Sequence, residues 1–528
     1  MGISKDEPFF VVDGKPFVAL GGEVHNSSSS DSATMEKAFA KAEELGLNTI
    51  AAPVTWELLE PEEGVFDFTQ TDSLLAQARE HGMHLILLWF GTWKNAQGFY
   101  APAWVKKDPA RFWRAEPIRG KCQIMIERYH AVYGTMSALC DETMAADARA
   151  FAALMKHLKE ADGKEHTVIA VQVENECGLM VAAREHSEAA DELFATELVP
   201  RELISALKES KDLPQDVQDI VDECGEGSWK EAFGENAVAD ELFQAWHTAR
   251  YVEQVAEAGK AVYSLPMLVN CWLDKGKPAG AYPTGGPVFR MFPVWKVAAP
   301  SIDIVCPDIY VRNFCEICDT YHTADNPLAI VETATHSYLG PRAIWAVCHH
   351  HAPVFAPFGF EEMGEPFTAT QGFLFGMDVS DPALSTPQSC EAYRKTMECL
   401  CGMLEAKEAW GATLDAVIAE QGLAQELRFG DVVLKVQFAE KVPGAVAVLP
   451  LGWNEKEGVA DALILASGAH LSFVSADDGR PCADVLALEE GTLEDGCWKR
   501  GRRLNGDELQ ILSVDEPALL RASVFLYA

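Results

Sequence analysis

Eight short apolar runs recur between Phe17 and Pro357, and the stretches between them carry helical periodicity with glycine stops. The runs are Phe17 to Gly22, Thr49 to Pro53, His84 to Trp89, Thr167 to Val173, Met267 to Cys271, Ile304 to Asp308, Leu328 to Glu332 and Val354 to Pro357. Each is too short for a buried helix and lacks the polar alternation of a half-exposed strand, so each reads as a strand covered on both faces. Amphipathic segments such as Met35 to Leu45 before Gly46, and Leu74 to His81 before Gly82, supply the covering helices. Strand and helix alternating about eight times predicts a (β/α)8 barrel, an α/β fold.

The chain has 528 residues, more than one barrel of roughly 250 to 400 residues consumes. The pattern assigns residues 1–384 to the barrel, with Asp13-Gly14 as a hairpin turn whose second strand opens it. About 90 residues follow the fourth run and hold three helical patterns, Ala189 to Leu198, Val217 to Cys224 and Ala245 to Ala258. They predict a helical insertion at about 178–260, over the end of the barrel where active sites lie. Ser385 to Ala419 reads as one long helix or a helical pair, giving a connector over 385–422 packed on the barrel. From Leu427 onward the runs are strand-like, namely Leu427 to Phe429, Val432 to Phe438, Gly444 to Leu451, Ala462 to Ala466, Leu509 to Val514 and Leu519 to Leu526. Residues 423–528 are therefore predicted to form a β-sandwich-like accessory domain.

The formal charge of -37 opposes binding to nucleic acid or to anionic lipid and leaves neutral or cationic ligands. No basic segment followed by an apolar stretch and a cleavage site opens the sequence, and no run of about 18 apolar residues occurs, so a soluble, cytoplasmic protein is expected. Fourteen scattered cysteines fit reduced thiols. Cys315 and Cys318 form a CxxC that the Cys348-His349-His350-His351 run could complete as a zinc site. The histidine run reads better as the end of a helix, where donors meet free carbonyls, and no metal or cofactor is expected.

Two of the apolar runs break off into acids. Val168-Ile-Ala-Val-Gln172-Val-Glu174-Asn175-Glu176 turns polar after a buried stretch, and Asn326-Pro-Leu-Ala-Ile-Val-Glu332 ends in a lone carboxylate. A buried anion without a partner is costly, and catalytic groups of barrels sit where strands end. Two such carboxyls are what hydrolysis of a glycosidic bond with retention requires, one as proton donor and one as nucleophile. Strand alternation points Glu174 and Glu176 the same way, so periodicity leaves the choice between them open.

The Gln172-Val-Glu174-Asn175-Glu176 run resembles the acid/base strand of the large clan of barrel glycosidases, in which Asn precedes the catalytic Glu. Gly46-Leu-Asn-Thr-Ile, Trp56 and Glu60-Pro-Glu-Glu-Gly64-Val-Phe66-Asp-Phe68 resemble the second strand and following loop of glycoside hydrolase families 35 and 42. Gly21-Gly-Glu23-Val-His25-Asn26, Ala245-Trp-His247, Ala249-Arg-Tyr251-Val, Leu265-Pro-Met-Leu-Val-Asn270-Cys-Trp272 and Pro307-Asp308-Ile-Tyr310 extend the resemblance over nearly the whole chain. It points to the β-galactosidase-like branch of family 35 that carries a β-rich C-terminal domain.

The resemblance implies a retaining, exo-acting β-glycosidase, most simply a β-galactosidase, with Glu176 as acid/base and Glu332 as nucleophile. By the same carry-over Asn175 would bond the sugar 2-hydroxyl, and Tyr310 would steady Glu332. Glu23, His25, Asn26, Trp56, Glu57, Trp93, Asn95, Asn270 and Trp272 would line the pocket. The implied partner is an oligosaccharide or glycoside, and a homo-oligomer is left open. Alternatives are another retaining enzyme of the clan, for β-mannosides, β-xylosides or α-L-arabinosides, or a sugar-binding barrel without catalysis. Two departures bear on the sugar: Cys177-Gly178 follows the acid/base Glu where an aromatic is common, and Thr-Ala-Thr-His336-Ser follows the nucleophile.

Overall fold

A computed structural model describes residues 2–3, 9–127, 131–369, 371–372, 380, 382–410, 413–494 and 496–528. The eight expected runs form eight parallel strands: β1 (Ala19–Glu23), β2 (Thr49–Thr55), β3 (His84–Lys94), β4 (Val168–Asn175), β5 (Met267–Trp272), β6 (Ile304–Ile309), β7 (Glu332–Thr333) and β8 (Val354–Phe355). They lie in the order β7-β6-β5-β4-β3-β2-β1-β8. A parallel bridge from Ile330 to Phe355 joins the two ends and closes the barrel. Apart from His84 and Trp272, every residue in these strands is buried, which is why the sequence shows runs and not alternation.

The hairpin around Asp13 is present, but its second strand, Lys15–Phe17, is separate from β1. The single strand expected over 17–22 is thus divided. Helix α1 (Ser32–Leu45) is capped by Asp31, whose side chain accepts from the Thr34 amide, and it stops at Gly46 in the left-handed region at φ 72°. Helices α2 (Thr69–Glu80) and α3 (Asp141–Asp162) follow β2 and β3. The insertion after β4 consists of Glu188–Thr196, Arg201–Glu209, Gln215–Glu223, Trp229–Phe233 and the long α4 (Ala237–Val262). Helix α5 (Phe314–Tyr321) leads to β7, and α6 (Leu339–Cys348) leads to β8. Cys315 and Cys318 are buried within α5, and α6 ends at the histidine run, as its reading as a helix end requires.

The helix expected to reach Ala419 ends earlier. Helix α7 (Cys390–Trp410) is followed, beyond 411–412, which lie outside the described residues, by strand β9 (Asp415–Ile418). The apolar spacing of Leu414, Ala416 and Ile418 is that of a strand with one buried face, and a window shared with α7 hid it. The C-terminal strands are β10 (Ala424–Phe429), β11 (Val432–Phe438), β12 (Ala445–Asn454), β13 (Val459–Ser467), β14 (Ala469–Ser475), β15 (Cys482–Glu494), β16 (Cys497–Arg503), β17 (Leu512–Val514) and β18 (Ala518–Tyr527). They make two antiparallel sheets, β9-β12-β13-β18-β15-β16 and β10-β11-β14-β17, which enclose a core of Phe429, Leu434, Ile464, Leu520 and their neighbours. An α/β barrel followed by a sandwich-like β module is therefore the architecture, as expected. Strands β14, β15 and β16 were not legible because most of their side chains are exposed or half-exposed, which leaves no buried apolar run.

The β module is tied to the barrel by Arg342 of α6. Its guanidinium is buried and donates to both oxygens of Glu420, at 2.9 and 2.6 Å. No described helix is long and apolar enough to cross a membrane.

Candidate active site

Parallel pairing brings the C-terminal ends of the strands to one rim. Trp272, Asp308 and Glu332 are register partners across β5, β6 and β7, and Lys94 of β3 is paired with Asn175 of β4. On this rim Glu176, Asp308 and Glu332 each place a carboxylate oxygen within 4.8 Å of the other two, and all three side chains are buried. Glu23, at the end of β1, is fully buried as well.

The choice between Glu174 and Glu176 is made by the backbone. Both residues have positive φ, 63° and 44°, so the pleat that would point them alike is broken. Glu174 turns into the wall between β3 and β4, where its carboxylate accepts from the amides of Thr92 (3.1 Å) and Trp93 (2.7 Å). Gly91 makes room: a Cβ there would come within 2.7 Å of oxygens of both Glu174 and Asp147. Glu176 is held instead by its main chain, its amide donating to Asn270 Oδ1 (2.9 Å) and its carbonyl accepting from Ala96 (3.1 Å). That leaves its carboxyl beside Glu332.

Burial, and next the charge of Glu332, push Glu176 up to about 7, with Lys94 pulling the other way. Glu23 and Asp308 are raised as well, chiefly by burial and then by Glu332. Carboxyls this close cannot all ionise, so the group holds protons at neutral pH. Tyr310 donates to Glu332 Oε1 at 2.5 Å. Lys94, 4% exposed, donates to Asn175 Oδ1 at 2.7 Å, and Asn270 donates to Asp308 Oδ2 at 2.9 Å.

Polar atoms that are buried yet lack a hydrogen-bond partner among the described residues gather at this rim. They include both oxygens of Glu23, Oδ1 of Asn26, Asn95 and Asp308, Nε1 of Trp93, Nδ2 of Asn175 and Oε2 of Glu332. Buried polar groups are normally satisfied, so a concentration of exceptions marks a place where partners come from outside the chain. Donors and acceptors around an indole and two close carboxyls suit a hydroxylated ring with apolar faces.

The other expected pocket residues divide. His25 lies beside the rim: its amide donates to Glu361 at 3.1 Å, and its ring meets Phe358 edge-on at 5.1 Å. Trp272 is half-buried at the end of β5. Trp56 is fully buried, donates to Glu60 at 2.8 Å and packs against Trp104, and Glu57 is a surface acid 3.7 Å from Lys106. Both follow the end of β2, and their side chains meet Glu60, Trp104 and Lys106 there. Lys94 and Asp308 were absent from the expected set. Asp308 carries the same signal as Glu332, a lone acid at the end of an apolar run, and Lys94 lies just past the run predicted to end at Trp89.

The model of glycosyl hydrolases family 35 matches residues 9–116, which span the hairpin, β1, β2 and β3. A domain of unknown function, DUF5597, matches residues 398–514. A β-galactosidase of Xanthomonas manihotis is 38% identical over 81 residues, which are 15% of this chain and 13% of that protein. Among solved structures, a β-galactosidase from the psychrophilic Marinomonas ef1 aligns with 74% of this chain and 60% of its own at 13% identity and a TM-score of 0.46. An exo-β-1,4-mannosidase from Opitutaceae bacterium strain TAV5 aligns with 75% and 62% at 14% identity and a TM-score of 0.43. By sequence, the segment from residue 9 to residue 116, which builds the first three strands of the barrel, is similar to glycosyl hydrolases family 35.

Proposed function

We propose that this chain is a retaining, exo-acting β-glycosidase, a β-galactosidase in preference to its alternatives, with Glu332 as nucleophile and Glu176 as acid/base. The observation that carries the reading is the approach of their carboxylate oxygens to within 4.8 Å. Retaining enzymes hold the two groups about 5 to 5.5 Å apart, whereas inverting ones leave a wider gap for water.

Glu332 attacks the anomeric carbon and Glu176 delivers its proton to the departing oxygen. Glu176 then takes a proton from water, which releases the sugar from Glu332. A carboxyl raised to about 7 keeps about half of the molecules protonated at neutral pH for the first step, and the part of the rise owed to the Glu332 charge is lost once Glu332 is esterified. In this reading Asn175, whose Oδ1 accepts from Lys94, bonds the 2-hydroxyl. Galactose as the sugar is supported by the family match and by the relative over 81 residues.

The test uses nitrophenyl glycosides with Glu332→Gly and Glu176→Gln. Hydrolysis of the β-galactoside is expected to fall by roughly 10³-fold or more in Glu332→Gly and to be restored by azide as the α-glycosyl azide. Near-normal hydrolysis by Glu332→Gly, or a near-normal kcat of Glu176→Gln, whose deglycosylation has lost its base, would end the assignment, and a preference for the mannoside, xyloside or arabinoside would change the sugar alone.

A further inference from the structure

A second cluster lies at the other end of the barrel, where the C-terminal ends of the covering helices meet. Asp319 of α5, and His349 and His350 just past α6, each bring one ligating atom within 4.8 Å of the other two. His350 Nε2 is 3.3 Å from Asp319 Oδ1. That separation is the edge of a tetrahedron drawn with metal–ligand bonds of roughly 2.0 to 2.1 Å.

The rings are oriented as ligands are. His350 is 4% exposed, its Nδ1 is 2.7 Å from His322 Nδ1, and its Nε2 has no hydrogen-bond partner among the described residues. His349 uses Nδ1 for Asp415 Oδ1 at 2.7 Å and lies against the face of Trp345 at 5.3 Å. An imidazole with one nitrogen fixed by a carboxylate, as His349 is by Asp415, is how proteins aim histidine at a metal.

We propose that Asp319, His349 and His350 bind one divalent transition cation of the zinc class, with water completing the coordination. Two imidazoles among three donors select against calcium and magnesium, which take oxygen ligands. Cys315 and Cys318 are not members, because α5 directs both into the core while Asp319 of the same helix is exposed. Asp415 opens the β module, so the cation would brace α5 and α6 against that module, far from Glu176 and Glu332. Braces of this kind add stability and leave the chemistry to the opposite rim.

The full-length protein is stripped with EDTA, dialysed against zinc chloride and assayed for bound zinc by atomic emission. Thermal midpoints are recorded with zinc and with magnesium. About one zinc per chain is expected, with a midpoint raised by zinc and not by magnesium. Asp319→Asn and His349→Gln change exposed side chains, and circular dichroism establishes that each is folded. Each should weaken zinc binding by roughly tenfold or more and remove the zinc-dependent midpoint rise. The proposal is overturned if the wild type binds no zinc, or if both folded variants bind it as the wild type does, which would put the zinc elsewhere on the chain.

Discussion

Tyr310 donates to Glu332 Oε1 at 2.5 Å, while Oε2 of the same carboxylate is buried with no hydrogen-bond partner among the described residues. One oxygen is pinned and the other is left for the anomeric carbon. The phenol stays protonated, since burial and the charge of Glu332 push Tyr310 well above its ordinary value. Tyr310→Phe removes a hydrogen bond to an anion, worth about 1.5 to 3 kcal/mol, so kcat should fall roughly 10- to 100-fold. KM should move little, because the bond aims the nucleophile and does not hold the ring. Steady-state kinetics on a nitrophenyl β-galactoside checks this, and an unchanged kcat would remove Tyr310 from the mechanism.

The proton on Glu176 sets the alkaline limit. A carboxyl raised to about 7 is protonated below that pH and ionised above it, so kcat/KM should fall tenfold per pH unit above about 7. Glu176→Gln should abolish that limb for substrates whose leaving group needs no proton. A limb that persists in the variant would belong to another group.

The same shift predicts a trade of stability for chemistry. Glu176 is raised in the folded state from an ordinary 4.5, so its contribution is fully present below about 4.5 and is lost as pH rises through about 7. At pH 8 the wild type carries a buried charge that Glu176→Gln lacks. The variant should therefore be more stable at pH 8, by on the order of 3 kcal/mol, and no more stable at pH 4. Urea denaturation at the two pH values reads the difference, and equal gains at both would sever it from ionisation.

Lys94 is the cation the sequence reading missed, and it acts on two neighbours. It fixes Asn175 at 2.7 Å, and its charge lowers Glu176. Lys94→Met should move the alkaline limb above 7 and lower kcat/KM by roughly 10- to 100-fold as Asn175 loses its partner. If the limb stayed in place, Lys94 would be a packing residue only.

The barrel was legible because parallel strands are buried on both faces, which leaves apolar runs that only such strands need, and because Glu176 and Glu332 interrupt two of them. The distinction between Glu174 and Glu176 was not legible from alternation, since two residues at positive φ abolish the pleat on which alternation rests. Trp56 shows the opposite limit. An indole in a motif reads the same whether it faces a sugar or Glu60, and only packing decides. Asp319 entered no reading because its partners follow another helix, brought near by the return of α5 and α6 to one end of the barrel.

The link between barrel and β module yields the last prediction. Arg342 is 1% exposed, lies over Phe314 at 4.4 Å, and has its charge met by both oxygens of Glu420. His336 cannot share that charge: burial, and next Arg342 itself, push it down to about 3, so it stays neutral at 3.2 Å from Nη1. Glu420→Gln therefore strands a buried guanidinium and should destabilise the fold by about 3 to 5 kcal/mol. Replacing both partners, as Arg342→Met with Glu420→Met, removes the stranded charge along with the pair and should recover most of that loss. Urea midpoints of the single and double variants test it. A double variant as unstable as Glu420→Gln would mean that the pair holds the two parts together by its geometry and not by neutralising a buried charge.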